Sequence, residues 1–221
     1  MKRNKKNYPS KLCKLRCGAQ ARYVFEILKT LKFRGQIFVI DPIGKKTQSI
    51  DNLKIRRIIK INDIVQFFKK NKIKHFIVAI SANSLKSALI TALTKKDYKL
   101  QSVISPFAII SSTAKIEDGC IINPLAVIGP NCSIGRGCII HSLVNIDHDC
   151  QIGQLSNLAP GVILAGRVNI GEQVFIYTGA KIIPDVKVGN FAVVGAGECV
   201  IKDVRPKTTV VGVPASEIDI L

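Results

Sequence analysis

The chain has 221 residues, 47% hydrophobic and 22% charged, a balance that excludes a disordered chain or a collagen-like fibre and leaves room for one large domain or two small ones. No apolar run approaches the roughly 18 residues of a membrane span, and the basic opening Met1–Ser10 lacks the apolar segment of a signal peptide because Lys14 and Arg16 interrupt it, so a cytoplasmic protein is expected. The net charge of +18 is uneven: residues 1–100 hold 25 Lys and Arg against 5 Asp and Glu, residues 101–221 hold 8 against 10. That shift in composition divides the chain into two expected domains, 1–100 and 101–221. The lysines of the first are spread evenly without interleaved aromatics, which argues against a specific nucleic-acid partner. A positive domain still attracts small anions such as nucleotide sugars.

In the first half, Leu12–Cys17 reads as a weak strand and Ala19–Leu31 as an amphipathic helix. Gln36–Ile40 is a clear strand that stops at Asp41-Pro42. Asn62–Lys70 follows as a helix, His75–Ile80 as a strand and Asn83–Thr94 as a helix. Strands alternating with helices predict an α/β domain built on a small, Rossmann-like parallel sheet. Ligands of such sheets sit at the carboxyl ends of the strands, which groups Gly18, Ala19, Gln20, Asp41, Ser81 and Asn83 around one candidate substrate pocket. Gly18 is the single glycine before the first helix, and the free N–H groups of a helix start can hold an anion.

The second half is governed by a repeat. An aliphatic residue recurs every six positions from Ile104 to Val200, through Ile128, Ile146, Leu164 and Ile182, over seventeen hexads without an insertion. Four residues after each of the first fifteen anchors stands a small or β-branched residue, among them Ala126, Cys132, Val144, Cys150 and Val168. A period of six fits neither a helix nor an alternating strand. It fits a parallel β-helix in which each hexad makes one side of a triangular coil and three close a turn. The anchor then points into the prism and the small residue fills the next corner. Glycine directly after an anchor, as in Ile152-Gly153 and Val188-Gly189, is expected to free the backbone where the chain turns. Nearly six coils stack to roughly 27 Å at about 4.8 Å per strand.

Cys120 and Cys138 are eighteen residues apart, as are Cys132 and Cys150, so each pair stacks on neighbouring coils. Without a Cys-x-x-Cys pair they read as small buried thiols, not as disulfides or metal ligands. Glu198 falls in a small inward slot, where an unpaired carboxylate is costly, so the regular coil is expected to loosen just before it.

Of the three histidines, His75 opens an apolar strand, while His141 and His148 lie outside the inward slots. His148 stands between two carboxylates in Ile146-Asp147-His148-Asp149-Cys150. This reads either as a surface histidine in an acidic turn or as a general base, since a carboxylate on one ring nitrogen sets the tautomer and raises the basicity of the other.

The hexads resemble those of the hexapeptide-repeat acyltransferases, which form left-handed parallel β-helices and work as trimers. The β/α domain, the Asn-Ile-Asp-His-Asp-Cys segment at 145–150 and the terminal Gly212-Val213-Pro214-Ala215 narrow the likeness to the sialic acid O-acetyltransferase and bacillosamine N-acetyltransferase group. The resemblance implies that His148 is the base and that Asp149 orients it. It implies an acetyl-CoA groove between adjacent prisms, with Asn157, Gly166, Thr178, Ala196 and Gly197 as cofactor-binding positions, and His141 with the pocket residues on the sugar side. The chain departs from the group in Cys17-Gly18-Ala19-Gln20-Ala21, where many relatives carry a Gly-Ala-Gly-Gly-His-like loop. It departs again at Asn157, where some members have a second histidine, and at Ser216, where a basic residue is frequent.

The expected function is therefore an acetyl-CoA-dependent sugar acetyltransferase of surface-glycan biosynthesis, with no metal and with backbone N–H groups near Gly166 stabilising the oxyanion. The alternative is a non-catalytic trimeric β-helix scaffold with a degenerate nucleotide pocket. A γ-type carbonic anhydrase needs three histidines on zinc, and the prism supplies two. Outward apolar residues, namely Ile163, Phe175, Tyr177 and Ile183, predict a buried interface and a homotrimer with sites between subunits.

Overall fold

The computed structural model describes residues 8–15, 19–42 and 55–218. The chain divides into two compact units, Met1–Pro106 and Phe107–Leu221.

The first unit is a parallel sheet with helices in its crossovers. Its elements run β1 (Lys11–Leu15), α1 (Ala19–Thr30), β2 (Gln36–Asp41), β3 (Ile55–Arg57), α2 (Ile61–Lys70), β4 (His75–Val78), α3 (Asn83–Thr94) and β5 (Lys99–Leu100). The spatial order is β3-β2-β1-β4-β5, with every neighbouring pair parallel. The order reverses between β1 and β4, the switch point at which open α/β sheets form a crevice. Apolar spacing on the helices explains their docking: α2 buries Ile64, Val65 and Phe68, one turn apart on one face. Phe68 meets Tyr98 edge-on at 4.9 Å and lies 6.4 Å from Phe76. The edge strands β3 and β5 were not foreseen from the sequence. Each has two or three residues, and Arg56 and Arg57 are exposed, so neither carries a hydrophobic pattern.

The second unit is a left-handed parallel β-helix. Each of the seventeen anchors is the second residue of a two-residue strand. One face stacks strands Ile109–Ile110, Val127–Ile128, Asn145–Ile146, Ile163–Leu164, Lys181–Ile182 and Cys199–Val200; a second runs from Lys115–Ile116 to Lys187–Val188. The third climbs through Ile139–Ile140, Asn157–Leu158 and Phe175–Ile176, and is extended by Thr209–Val211 and the antiparallel Ser216–Ile218. The register advances by eighteen residues, pairing Ile128 with Ile146 and Ile146 with Leu164. Ile146, Leu164, Val144 and Val162 are wholly buried, as the period requires.

The small inward slots have polar work as well. The thiols of Cys120, Cys132, Cys138 and Cys150 donate to the carbonyls of Gly135, Asp147, Gly153 and Ala165 at 2.8–3.2 Å. Ser156 does the same toward Gly171 at 2.9 Å. Burial pushes the Cys150 thiol up to about 11, so it remains a neutral donor.

Two expectations are corrected. Glycines directly after an anchor do not supply a left-handed turn. A Cβ on Gly153 would lie 2.4 Å from the carbonyl carbon of Gly171, so glycine permits the close approach of successive coils. The positive φ falls two residues later, where Asn131, Leu143, Asp149 and Arg167 adopt it at 57–61°. The coil also does not loosen before Glu198, because Cys199–Val200 still pairs with Lys181–Ile182. The carboxylate turns out of the axis and accepts the Gly212 N–H, which removes the desolvation penalty that motivated the expectation.

Candidate active site

His148 sits two residues after the anchor Ile146, at the corner where the chain leaves the strand Asn145–Ile146. The backbone at Asp149 is left-handed, with φ of 59°, a conformation that Asp tolerates better than most residues. This turn brings the two side chains together: Nδ1 of His148 lies 2.7 Å from Oδ2 of Asp149. Asp147 has a different task, accepting the backbone N–H of His148 at 2.8 Å. The other oxygen of Asp149 accepts the Asn131 amide at 3.0 Å from the coil below. The hydrogen bond from His148, and then that from Asn131, hold the Asp149 carboxyl below the usual carboxylate range. An ionised Asp149 requires a proton on Nδ1, which leaves the lone pair on Nε2.

Gly166 lies eighteen residues on, directly above the histidine. A Cβ built there would come within 2.5 Å of Nε2, so the imidazole occupies the space that any other residue would fill. Among the described residues the Gly166 N–H meets no acceptor. A basic nitrogen therefore faces bare backbone with an unused donor, the pairing that an acyl-transfer site needs. Above Asp149 stands Arg167, whose guanidinium is engaged by Asp185 through two hydrogen bonds of 2.6 and 2.8 Å.

The other expected residues are distributed as follows. Asn157 is buried in a strand of the third face, and His141, half-buried, directly follows the strand Ile139–Ile140 on that face. Thr178, Ala196 and Gly197 are exposed at the corner after the anchors Ile176 and Val194. Within one chain that corner and the corner of His148 flank opposite edges of the face containing Ile163–Leu164, so these two groups are not brought together. In the first unit Gln20 and Asp41 are buried, Ser81 and Asn83 half-buried, and all four follow or end the strands β1, β2 and β4. Ala19 opens α1; Gly18 lies outside the described residues. Lys14 is fully buried on β1, donating to the Ala21 carbonyl at 2.9 Å with its ammonium 4.0 Å from the Phe25 ring centroid.

Asn131 escaped the sequence reading. Its spacing of eighteen from Asp149 was the available signal, since residues eighteen apart stack. Among the described residues no three His, Cys, Asp or Glu side chains converge as metal ligands would, and no helix is long and apolar enough to cross a membrane.

Comparison with known proteins agrees with this architecture. Residues 113–147 match the family model for the bacterial transferase hexapeptide (six repeats). No curated protein sequence matches. Among solved structures, a variant of perosamine N-acetyltransferase from Caulobacter crescentus, in complex with CoA and GDP-perosamine, is similar at 25% identity and a TM-score of 0.87, covering 95% of this chain and 97% of its own. The acetyltransferase domain of PglB from Neisseria gonorrhoeae, in complex with acetyl coenzyme A, is similar at 25% identity and a TM-score of 0.85, with 95% and 99% covered. WeeI from Acinetobacter baumannii shares the fold at 23% identity and a TM-score of 0.84, with 94% and 99% covered. The likeness to hexapeptide-repeat sugar acetyltransferases thus extends over nearly the whole chain, and the chain is an acyltransferase.

Proposed function

We propose that this acyltransferase moves an acetyl group from acetyl-CoA to an amine or hydroxyl of a nucleotide-linked sugar destined for a surface glycan, in the cytoplasm. The observation that carries the reading is the 2.7 Å contact between His148 and Asp149, with Nε2 directed at the bare backbone of Gly166. As the acceptor N–H or O–H attacks the thioester carbonyl, its proton passes to Nε2. The imidazolium so formed is stabilised by Asp149, which stays ionised. The developing oxyanion meets the Gly166 N–H. Collapse expels the CoA sulfur, which takes the proton from Nε2, and the base returns to its starting state.

The first unit would hold the nucleotide at the switch point, where Gln20, Asp41, Ser81 and Asn83 follow or end strands. Similarity to proteins whose complexes contain GDP-perosamine with CoA, or acetyl coenzyme A, supports both substrates. Thr178, Ala196 and Gly197 lie at a different corner from His148, so a site using both groups draws on two chains. A cyclic trimer closes three such sites.

The test is a screen of nucleotide sugars and free sugars, sialic acids included, read by CoA release. His148→Ala should lower turnover at least about a hundredfold with its melting temperature retained. Turnover near that of the unsubstituted protein refutes the assignment. Failure of acetyl-CoA to shift the melting temperature would instead favour a scaffold role.

A further inference from the structure

Resting on the reading of His148 as base, we propose that Asn131 is a positioning residue for the reaction, locking Asp149 so that His148 presents its lone pair on Nε2. The argument begins with exposure. His148 and Asp149 keep more than two-fifths of their side-chain surface open, so burial does not orient them and water competes for the carboxylate. A carboxylate on a corner can rotate and swing away unless something holds its second oxygen. Asn131 does so at 3.0 Å, from the equivalent corner one coil below.

The asparagine is itself prearranged. It shares the left-handed backbone of Asp149, with φ of 57° against 59°, so its side chain leaves the corner in the same sense. Its own N–H donates to Thr113 Oγ1 at 2.9 Å, and that hydroxyl is 3.1 Å from Ser111 Oγ. A ladder therefore rises from Thr113 through Asn131 to Asp149 and ends on the imidazole. The amide must face the carboxylate with its NH2, because the amide oxygen would meet a negative acceptor. Asn131 thereby claims Oδ1 and leaves Oδ2 for Nδ1–H.

The charged groups around the imidazole are Asp147 and Asp149 on its own coil and Arg167 and Asp185 above it. The Arg167 guanidinium is engaged by Asp185, so among the described residues Asn131 and His148 are the side chains that hydrogen-bond this carboxylate.

Two isosteric or truncating variants separate positioning from a structural role. Asn131→Ala should lower kcat about tenfold while the KM for each substrate moves less than twofold. In nitrogen-15 spectra of the free protein, neutral His148 should pass from a single Nδ1–H tautomer to a mixture. Asn131→Asp keeps the shape of the side chain but replaces the donor with a carboxylate, so Oδ1 of Asp149 loses its partner; the tautomer should be mixed here too and kcat should fall at least as far. A single tautomer in both variants overturns the proposal. A loosened tautomer with unchanged kcat upholds the positioning of His148 and defeats its role as base, so the two failures are told apart.

Discussion

Nε2 of His148 fills the volume that a side chain on Gly166 would need, lying 2.5 Å from where its Cβ would be, with Cε1 at 2.6 Å. Gly166 is not in a left-handed conformation, so alanine is compatible with its backbone and the clash alone is tested. Gly166→Ala should turn the imidazole aside and lower kcat by about a hundredfold, the scale of a displacement near 1 Å. Its melting temperature should stay within about 4 °C of the unsubstituted protein. Turnover unchanged by the substitution would mean that the reacting atoms lie elsewhere.

The ion pair beside the site gives a prediction on acid stability. Two hydrogen bonds from Arg167 hold the Asp185 carboxyl below its usual range. A carboxyl depressed in the folded state stabilises it above the unfolded value, and that contribution is lost as pH falls through the folded value. The pair is exposed, so its effect is small. Asp185→Asn should lower the melting temperature by no more than about 2 °C at pH 7, and the gap should close on acidification below about 4. Melts at pH 7 and pH 3 decide it; a gap that widens in acid reverses the sign and contradicts the account.

The period of six made the β-helix legible because each anchor, Ile146 and Leu164 among them, must point an aliphatic side chain into the prism. The same period, eighteen residues to a coil, sets Gly166 over His148. Asn131 was harder to see, since an exposed polar corner residue leaves no hydrophobic trace and its role lies in which oxygen of Asp149 it takes. As bare flanks of His148, Asp147 and Asp149 looked alike, and only the family resemblance singled out Asp149; in the structure the left-handed turn at Asp149 accompanies a carboxylate on the ring, while Asp147 takes the backbone N–H. The strand Ile55–Arg57 was hidden for a related reason, being too short and too charged to show a pattern. Glu198 misled because sequence position gives the slot and not the side chain's direction.

Alkaline stability should report the buried thiols. Cys150 is pushed from 9.0 to about 11 by burial, so the folded state keeps its proton while the unfolded chain loses it. Stability is unaffected below the unfolded value, falls as pH rises from there, and levels off beyond about 11. Cys150→Ser removes that titration, and Ser156 shows that a hydroxyl can serve a neighbouring slot by donating to a carbonyl at 2.9 Å. Urea melts at pH 7.5 and pH 10 should therefore show a smaller alkaline loss in Cys150→Ser. An equal loss in both proteins would assign the effect to other groups.

Assembly can be tested through the outward face of the prism. Ile163, Tyr177 and Ile183 are 40%, 47% and 39% exposed, and the Phe175 and Tyr177 rings lie 4.5 Å apart on that surface. Several large apolar groups on neighbouring coils are more than a solvated surface requires. They lie on or beside the face separating His148 from Thr178 and Ala196, so covering them with a second copy would bring those two corners, one from each chain, to a common groove. Light scattering should give about 73 kDa, three times the 24.2 kDa chain. Ile163→Lys with Tyr177→Lys places two charges in that contact and should shift the mass toward one chain, with activity falling in step. A monomer of the unsubstituted protein that is fully active at nanomolar concentration would show that each site is complete within one chain.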